Sequence, residues 1–124
     1  MKVAIVHYHL EPGGVTRVIE NTLDSFTECF PTIQFVVLSG RPYPGQRIQN
    51  VQVVDGLDYS SPSNSICPKN LKEKMKKAAE IGLGGKPDLW HIHNHCLGKN
   101  PSLTQAVSHL AEDGNPILLQ PHDF

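Results

Sequence analysis

No uninterrupted apolar stretch of this chain approaches the length of a membrane span. Lys2 is followed by only Val3 to Val6 before His7, far too short for the apolar core of an export signal. Charge of one sign is lacking as well. Eleven Lys and Arg against 12 Asp and Glu leave a formal net charge of -1, which supplies no basic face for nucleic acid. Cysteine is scarce: Cys29, Cys67 and Cys96 stand far apart without a CxxC pair, so a disulfide framework is not expected and reduced thiols in a cytoplasmic setting are. Two nucleotide signatures are also missing. The turn after the first predicted strand reads GGVTR, not GxGxxG; Ser39-Gly40-Arg41 follow the second strand where an acidic residue would hold a ribose; and no GxxxxGK[ST] occurs. An NAD-dependent enzyme and a P-loop protein are both disfavoured.

What is present suits one folded domain over residues 1–124. Hydrophobic residues make up 39% and charged residues 19%, and a chain of 124 residues buries roughly two-thirds of its unfolded surface. Within Lys2 to Tyr8, Val3 to Val6 form a continuous apolar run, the pattern of a strand buried on both faces. Val15, Val18, Ile19, Thr22, Leu23 and Phe26 recur at spacings of three and four, predicting a helix from Gly14 to about Cys29. Ile33–Leu38 reads as a second buried strand, Ser39–Asn50 as a loop, Val51–Val54 as a short third strand and Gly56–Pro68 as irregular. A helix from about Lys69 to Leu83 turns Leu71, Met75, Ala78, Ala79 and Gly82 inward and ends at Gly84-Gly85. Asp88–His93 is a fourth strand. Asn100-Pro101 opens a last helix, which runs to Gly114, and Pro116–Gln120 is a fifth strand. Strands alternating with helices imply an α/β, Rossmann-like doubly wound parallel sheet of about five strands in the order 3-2-1-4-5. The connection from the second strand to the third lacks a clear helix.

In such a sheet, ligands bind beyond the carboxyl ends of the strands, where the strand order reverses. A helix starting there aims unpaired N–H groups and a positive dipole end into the cleft. Gly13 and Gly14, lacking Cβ atoms, would let an anion approach the backbone closely. The alternative is that they merely permit a tight strand-to-helix turn.

The order PGGVTRVIENTL, PDLWHIHN and PILLQPHD resembles the N-terminal domain of family 4, glycogen-synthase-like glycosyltransferases with the GT-B fold. In this resemblance Gly13-Gly14 match the glycine-rich loop that approaches the donor diphosphate. Asp88-Leu89-Trp90-His91-Ile92-His93-Asn94 match a D-x-x-H-x-H-N strand, and His122-Asp123 match the His-Asp or His-Ser after the fifth strand. The resemblance implies that His122 contacts the transferred sugar and helps organise the reacting centre. It also implies a nucleotide diphosphate sugar as donor, no metal and no further cofactor. The second, C-terminal domain that grips most of the nucleotide sugar is missing from these residues. They are therefore either part of a longer protein or a remnant without full activity.

Other residues carry weaker signals. His9 would reach the acceptor side of the cleft, with His93, Asn94 and Asp123 at its edge, while His7 is expected to be buried. His91, His93 and His95 alternate along one strand face, a spacing open to a metal. The plainer reading packs His91 beneath a helix and places His95 beyond the strand. Arg17, on the first helical turn, could meet phosphate or only pair with Glu20 at i,i+3, and the surface pair is the preferred reading. Lys69, Lys72, Lys74, Lys76 and Lys77 make a basic helix, with Glu73–Lys77 and Lys76–Glu80 as i,i+4 pairs. That helix would be an ordinary solvated face, or a contact for anionic lipid at the inner membrane surface.

The leading expectation is a retaining glycosyltransferase domain that joins a nucleotide sugar to a sugar or lipid acceptor and is inactive alone. One rival is a non-enzymatic α/β module binding a partner or small anion. Another is a metal-dependent hydrolase built on His91, His93 and His95.

Overall fold

A computed structural model describes residues 1–60, 66–94 and 99–122. Five strands and three helices alternate: β1 (Lys2–Val6), α1 (Gly14–Cys29), β2 (Gln34–Ser39), β3 (Val51–Val53), α2 (Pro68–Leu83), β4 (Leu89–His93), α3 (Pro101–Glu112) and β5 (Ile117–Gln120). All four pairings are parallel and the strand order is β3-β2-β1-β4-β5. This is the doubly wound sheet expected from the alternation of apolar runs. β2 and β3 are joined through residues 40–50 without a helix.

Alternation along the strands feeds two cores. Ala4, Val6, Val36, Leu38, Trp90 and Ile92 face α2 and α3, meeting Leu71, Met75, Ala79, Leu103, Ala106 and Leu110. Val3, Ile5 and Val37 face the other way, toward Ile19 of α1 and Ile48 of the loop. Each large side chain buried in these layers contributes about 1.5–3 kcal/mol. The α1 stripe is narrower than its apolar spacing suggests. Ile19 and Thr16 are its buried residues, and Thr16 is there because its Oγ1 donates to the Glu11 carbonyl at 2.7 Å.

Local chemistry sets the helix ends. The Asn100 side chain caps α3 by accepting from the Leu103 N–H at 3.1 Å, and its Nδ2 donates to the carbonyls of Gly56 and Asp58 at 2.7 Å each. Gly84 closes α2 in the left-handed region with φ 69°, where glycine carries no Cβ penalty. Gly82 lets α2 lie close on the sheet, since a Cβ there would come within 2.4 Å of Val36.

The surface ion pairs differ from the expected ones. Glu73–Lys77 and Lys76–Glu80 do not form among the described residues. Lys72 instead reaches Asp113 at 2.8 Å, just beyond α3, and Lys74 approaches Asp55 at 3.5 Å. Arg17 does not pair with Glu20, whose carboxylate is taken by Tyr43 Oη at 2.5 Å and Arg47 at 3.3 Å. For Glu20, side chains from the loop between β2 and β3 present better-placed partners than the neighbouring helical turn, while Glu73 lies nearest Lys72, at 3.8 Å. Cys29 and Cys67 are free and exposed. No described helix is long and apolar enough to cross a membrane.

Candidate functional site

The carboxyl ends of β1 and β4, the first turn of α1 and Tyr59 enclose a small cleft of about 170 Å³. Gly13 and Gly14 form one wall. α1 begins there without a side-chain cap, so its first-turn amides have no side-chain acceptor among the described residues. Neither glycine is demanded by the fold. Gly13 is extended at φ 167°, a conformation open to any residue, and an added Cβ would meet at nearest the Glu11 carbonyl at 3.9 Å. Gly14 is helical, and a Cβ would find nothing within 4 Å. What their missing side chains leave bare is the cleft itself. Gly40 is the contrasting case: a Cβ there would fall 2.2 Å from the Asp58 backbone nitrogen, so that glycine is needed for packing.

His7, His9 and Asn94 stand with the glycines around the cleft. The His9 Nδ1 accepts from the Glu11 N–H at 3.2 Å, which places the ring proton on Nε2, where it donates to Tyr59 Oη at 3.0 Å. His9 is pushed below the ordinary histidine value, first by burial and then by Arg41. Arg41 is held by Asp58, with Nε to Oδ2 at 2.6 Å, and approaches Glu11 at 3.9 Å. The Arg41 guanidinium and the Lys99 ammonium both flank the Tyr59 ring, at 5.7 and 5.4 Å from its centroid.

Behind this wall runs a column of imidazoles. His91 and His93 project from the same face of β4 with stacked rings 4.4 Å apart, as their spacing predicts. His91 is half-buried, and its Nε2–H donates to Gln120 Oε1 on β5 at 2.6 Å. A side chain on β5, rather than an overlying helix, therefore fixes its orientation. The next ring, His122, stacks on His93 at 5.1 Å, with His93 Nδ1 and His122 Nε2 only 2.8 Å apart. Burial and the neighbouring imidazoles hold His93 down to about 3, and burial holds His7 down to about 4, so both are neutral near pH 7.

Asn94 connects the column to the cleft. It follows β4 directly, at φ 52°, in the left-handed region that asparagine tolerates better than most residues. Its N–H donates to the Gln120 carbonyl at 3.1 Å and its own carbonyl accepts from Tyr8 Oη at 2.7 Å. Its Oδ1 accepts from the His122 N–H at 2.5 Å.

Of the residues singled out from the sequence, Gly13, Gly14, His9 and Asn94 therefore share one cleft. His93 and His122 stand beside it through Asn94. Asp123 and His95 lie outside the described residues. Among those described, no group of three His, Cys, Asp or Glu is arranged to hold a metal. Arg17 lies on a neighbouring surface groove with Gly13 and Tyr43. Tyr59, Arg41 and Asp58 were not predicted, because each comes from a loop whose partner is distant in sequence. An aromatic residue isolated in a polar segment was the only signal for Tyr59.

Comparison with known proteins adds a distant relationship. Mannosylglucosyl-3-phosphoglycerate synthase from Petrotoga mobilis (strain DSM 10674 / SJ95) is 29% identical over 132 residues, across 97% of this chain and 25% of its own length. The chain thus spans about a quarter of that relative, a glycosyltransferase-like protein by its name. No family model and no solved structure matches the chain.

Proposed function

We propose that this chain is the N-terminal, acceptor-side domain of a retaining glycosyltransferase of the family 4, GT-B type. The complete cytoplasmic enzyme moves a hexose from a nucleotide diphosphate sugar to a hydroxyl of a sugar or lipid acceptor. The observation that carries this reading is the bare first turn of α1, which opens at Gly13-Gly14 onto a cleft shared with His7, His9 and Asn94. The distant glycosyltransferase-like relative supports it.

The chemistry follows from the parts. As the bond from the sugar's anomeric carbon to the diphosphate oxygen breaks, negative charge gathers on the leaving group. Amides at a helix N-terminus stabilise that charge without moving. Gly13 and Gly14 hold the diphosphate, and His122 contacts the transferred sugar at the reacting centre. His9, His93, Asn94 and Asp123 are assigned to binding of the acceptor and the sugar. No metal or other cofactor is assigned to the reaction. A C-terminal domain completes the donor site, so residues 1–124 alone turn over essentially no substrate.

Sugar transfer and slow nucleotide-sugar hydrolysis by the protein extended through its downstream coding sequence test the reading. Gly14→Val and His122→Ala should each lower turnover by about 100-fold or more. Full activity in both variants would remove the assignment, as would a reading frame that encodes no second domain.

A further inference from the structure

Asn94 is 3% exposed and lines the cleft beside Gly13 and Gly14. Three of its four polar groups are engaged elsewhere. The backbone N–H donates to Gln120, the carbonyl accepts from Tyr8 Oη, and Oδ1 accepts from the His122 N–H. That last contact fixes the orientation of the side-chain amide, because only its oxygen can accept. Nδ2 is left without a partner among the described residues. It is not walled in either, since the enclosed unpaired side-chain atoms among those residues are His7 Nδ1 and Trp90 Nε1. A side chain otherwise buried therefore shows one free donor, and the opening it lines is the cleft. Buried polar side chains are almost always paired, so a free donor on a cavity wall points to a ligand that accepts.

Tyr59 supplies a second donor. His9 Nδ1 accepts from the Glu11 N–H, so Nε2 carries the ring proton and donates to Tyr59 Oη. The phenol's own proton then has no acceptor among the described residues, and Tyr59 lines the same cleft. The Arg41 and Lys99 cations beside its ring add a positive field. The remaining polar side chains of the wall are occupied or shut away. Both His9 nitrogens are engaged, Thr16 Oγ1 donates to the Glu11 carbonyl, and His7 Nδ1 is enclosed. The Glu11 carboxylate stands 3.9 Å from Arg41. What the wall offers is thus mainly donors: the bare amides of α1, Asn94 Nδ2 and the Tyr59 hydroxyl. A sugar hydroxyl needs an acceptor for its own proton, whereas a phosphoryl group accepts at every oxygen.

We propose that Asn94 and Tyr59 are phosphate-binding residues, their Nδ2 and hydroxyl donating to the same phosphoryl group that meets the first-turn amides of α1. This rests on the reading of Gly13-Gly14 as an anion seat. It adds Tyr59 to the site and takes Asn94 to the point where a sugar joins its phosphate.

NMR titrations of the 124-residue protein with inorganic phosphate and with glucose test it, because the side-chain NH2 of Asn94 gives its own resonances. Phosphate should shift the amides of residues 14–16 together with the Asn94 NH2 pair, and glucose should shift neither. Asn94→Asp retains a residue that tolerates a left-handed φ and an oxygen for the His122 N–H, but it replaces the donor with a charged acceptor. Tyr59→Phe keeps the ring between its two cations and removes the hydroxyl. Each variant should bind phosphate about 10-fold more weakly, the ratio that one hydrogen bond to a charged group supplies. Phosphate that moves residues 14–16 but not the Asn94 NH2 overturns the proposal and leaves the anion seat intact. So does glucose moving that pair where phosphate does not, which would give Asn94 to the sugar alone. Unchanged phosphate affinity in Tyr59→Phe overturns the role of Tyr59. If phosphate moves neither residues 14–16 nor Asn94, the seat and this proposal fail together. Should Asn94→Asp not fold, the native NH2 resonances decide.

Discussion

His93 Nδ1 and His122 Nε2 lie 2.8 Å apart, so one of the two nitrogens carries a proton and the other accepts it. Because His93 remains neutral far below pH 7, the pair shares a single hydrogen rather than holding two like charges apart. The contact couples the tautomers of the two rings, and His93, the more buried one, is expected to hold that of His122. Replacing His93 with Phe keeps a ring stacked on His91 but removes the nitrogen. Nitrogen-15 NMR should then show His122 exchanging between tautomers, and transfer by the extended enzyme should fall about 10- to 100-fold. A single tautomer retained in His93→Phe would rule out this positioning role.

Acid should destabilise the fold before any carboxylate titrates. His7 and His93 have folded values near 4 and 3 against an ordinary 6.5, and His91 and His9 move the same way. With the native value depressed, stability is full above about pH 6.5, and it is lost as the unfolded chain takes up protons that the native state refuses. His7 alone accounts for about 3 kcal/mol by pH 4. Urea midpoints measured from pH 7.5 to 4.5 should fall steadily below pH 6.5. A flat profile would contradict the neutral buried imidazoles.

Asn100 does two jobs whose costs can be separated. Asn100→Ala loses the α3 cap and leaves the Gly56 and Asp58 carbonyls without their donor, for about 2–4 kcal/mol. Asn100→Asp keeps an acceptor for the Leu103 N–H but loses both donor bonds. Chemical denaturation should rank the native protein above both variants. An Asp variant as stable as the native protein would assign the whole effect to the cap.

Two glycines should respond oppositely to alanine. Gly14→Ala places its methyl group in open space on a helix, so stability should be unchanged or rise by up to about 1 kcal/mol. Gly40→Ala drives a methyl group against the Asp58 backbone and should cost about 1–3 kcal/mol. Thermal melts of the two variants decide this, and a destabilised Gly14→Ala would return Gly14 to a purely structural role.

The parts of this molecule readable from its sequence are those governed by neighbours along the chain. Val3 to Val6 specify a strand buried on both faces, Asn100-Pro101 a helix start and Gly84 a helix end, and each holds to within a residue or two. The spacing of His91 and His93 likewise fixes their common face. Long-range partners were beyond that kind of reading. Lys72 meets Asp113 across 41 residues and Arg41 meets Asp58 across 17, and neither pair leaves a periodic trace. The same holds for His7. Its burial was expected from the apolar run before it, but its unpaired nitrogen is visible only once β4 lies alongside.

Asn94 spans the junction between the cleft and the imidazole column. Its side-chain amide is one rigid plane, with the oxygen engaged by the His122 backbone and the nitrogen left without a partner among the described residues. A twist of that plane to serve a guest would swing its oxygen as well, tugging the chain that carries His122. The wall of the cleft and the backbone that carries His122 thus meet in a single side chain.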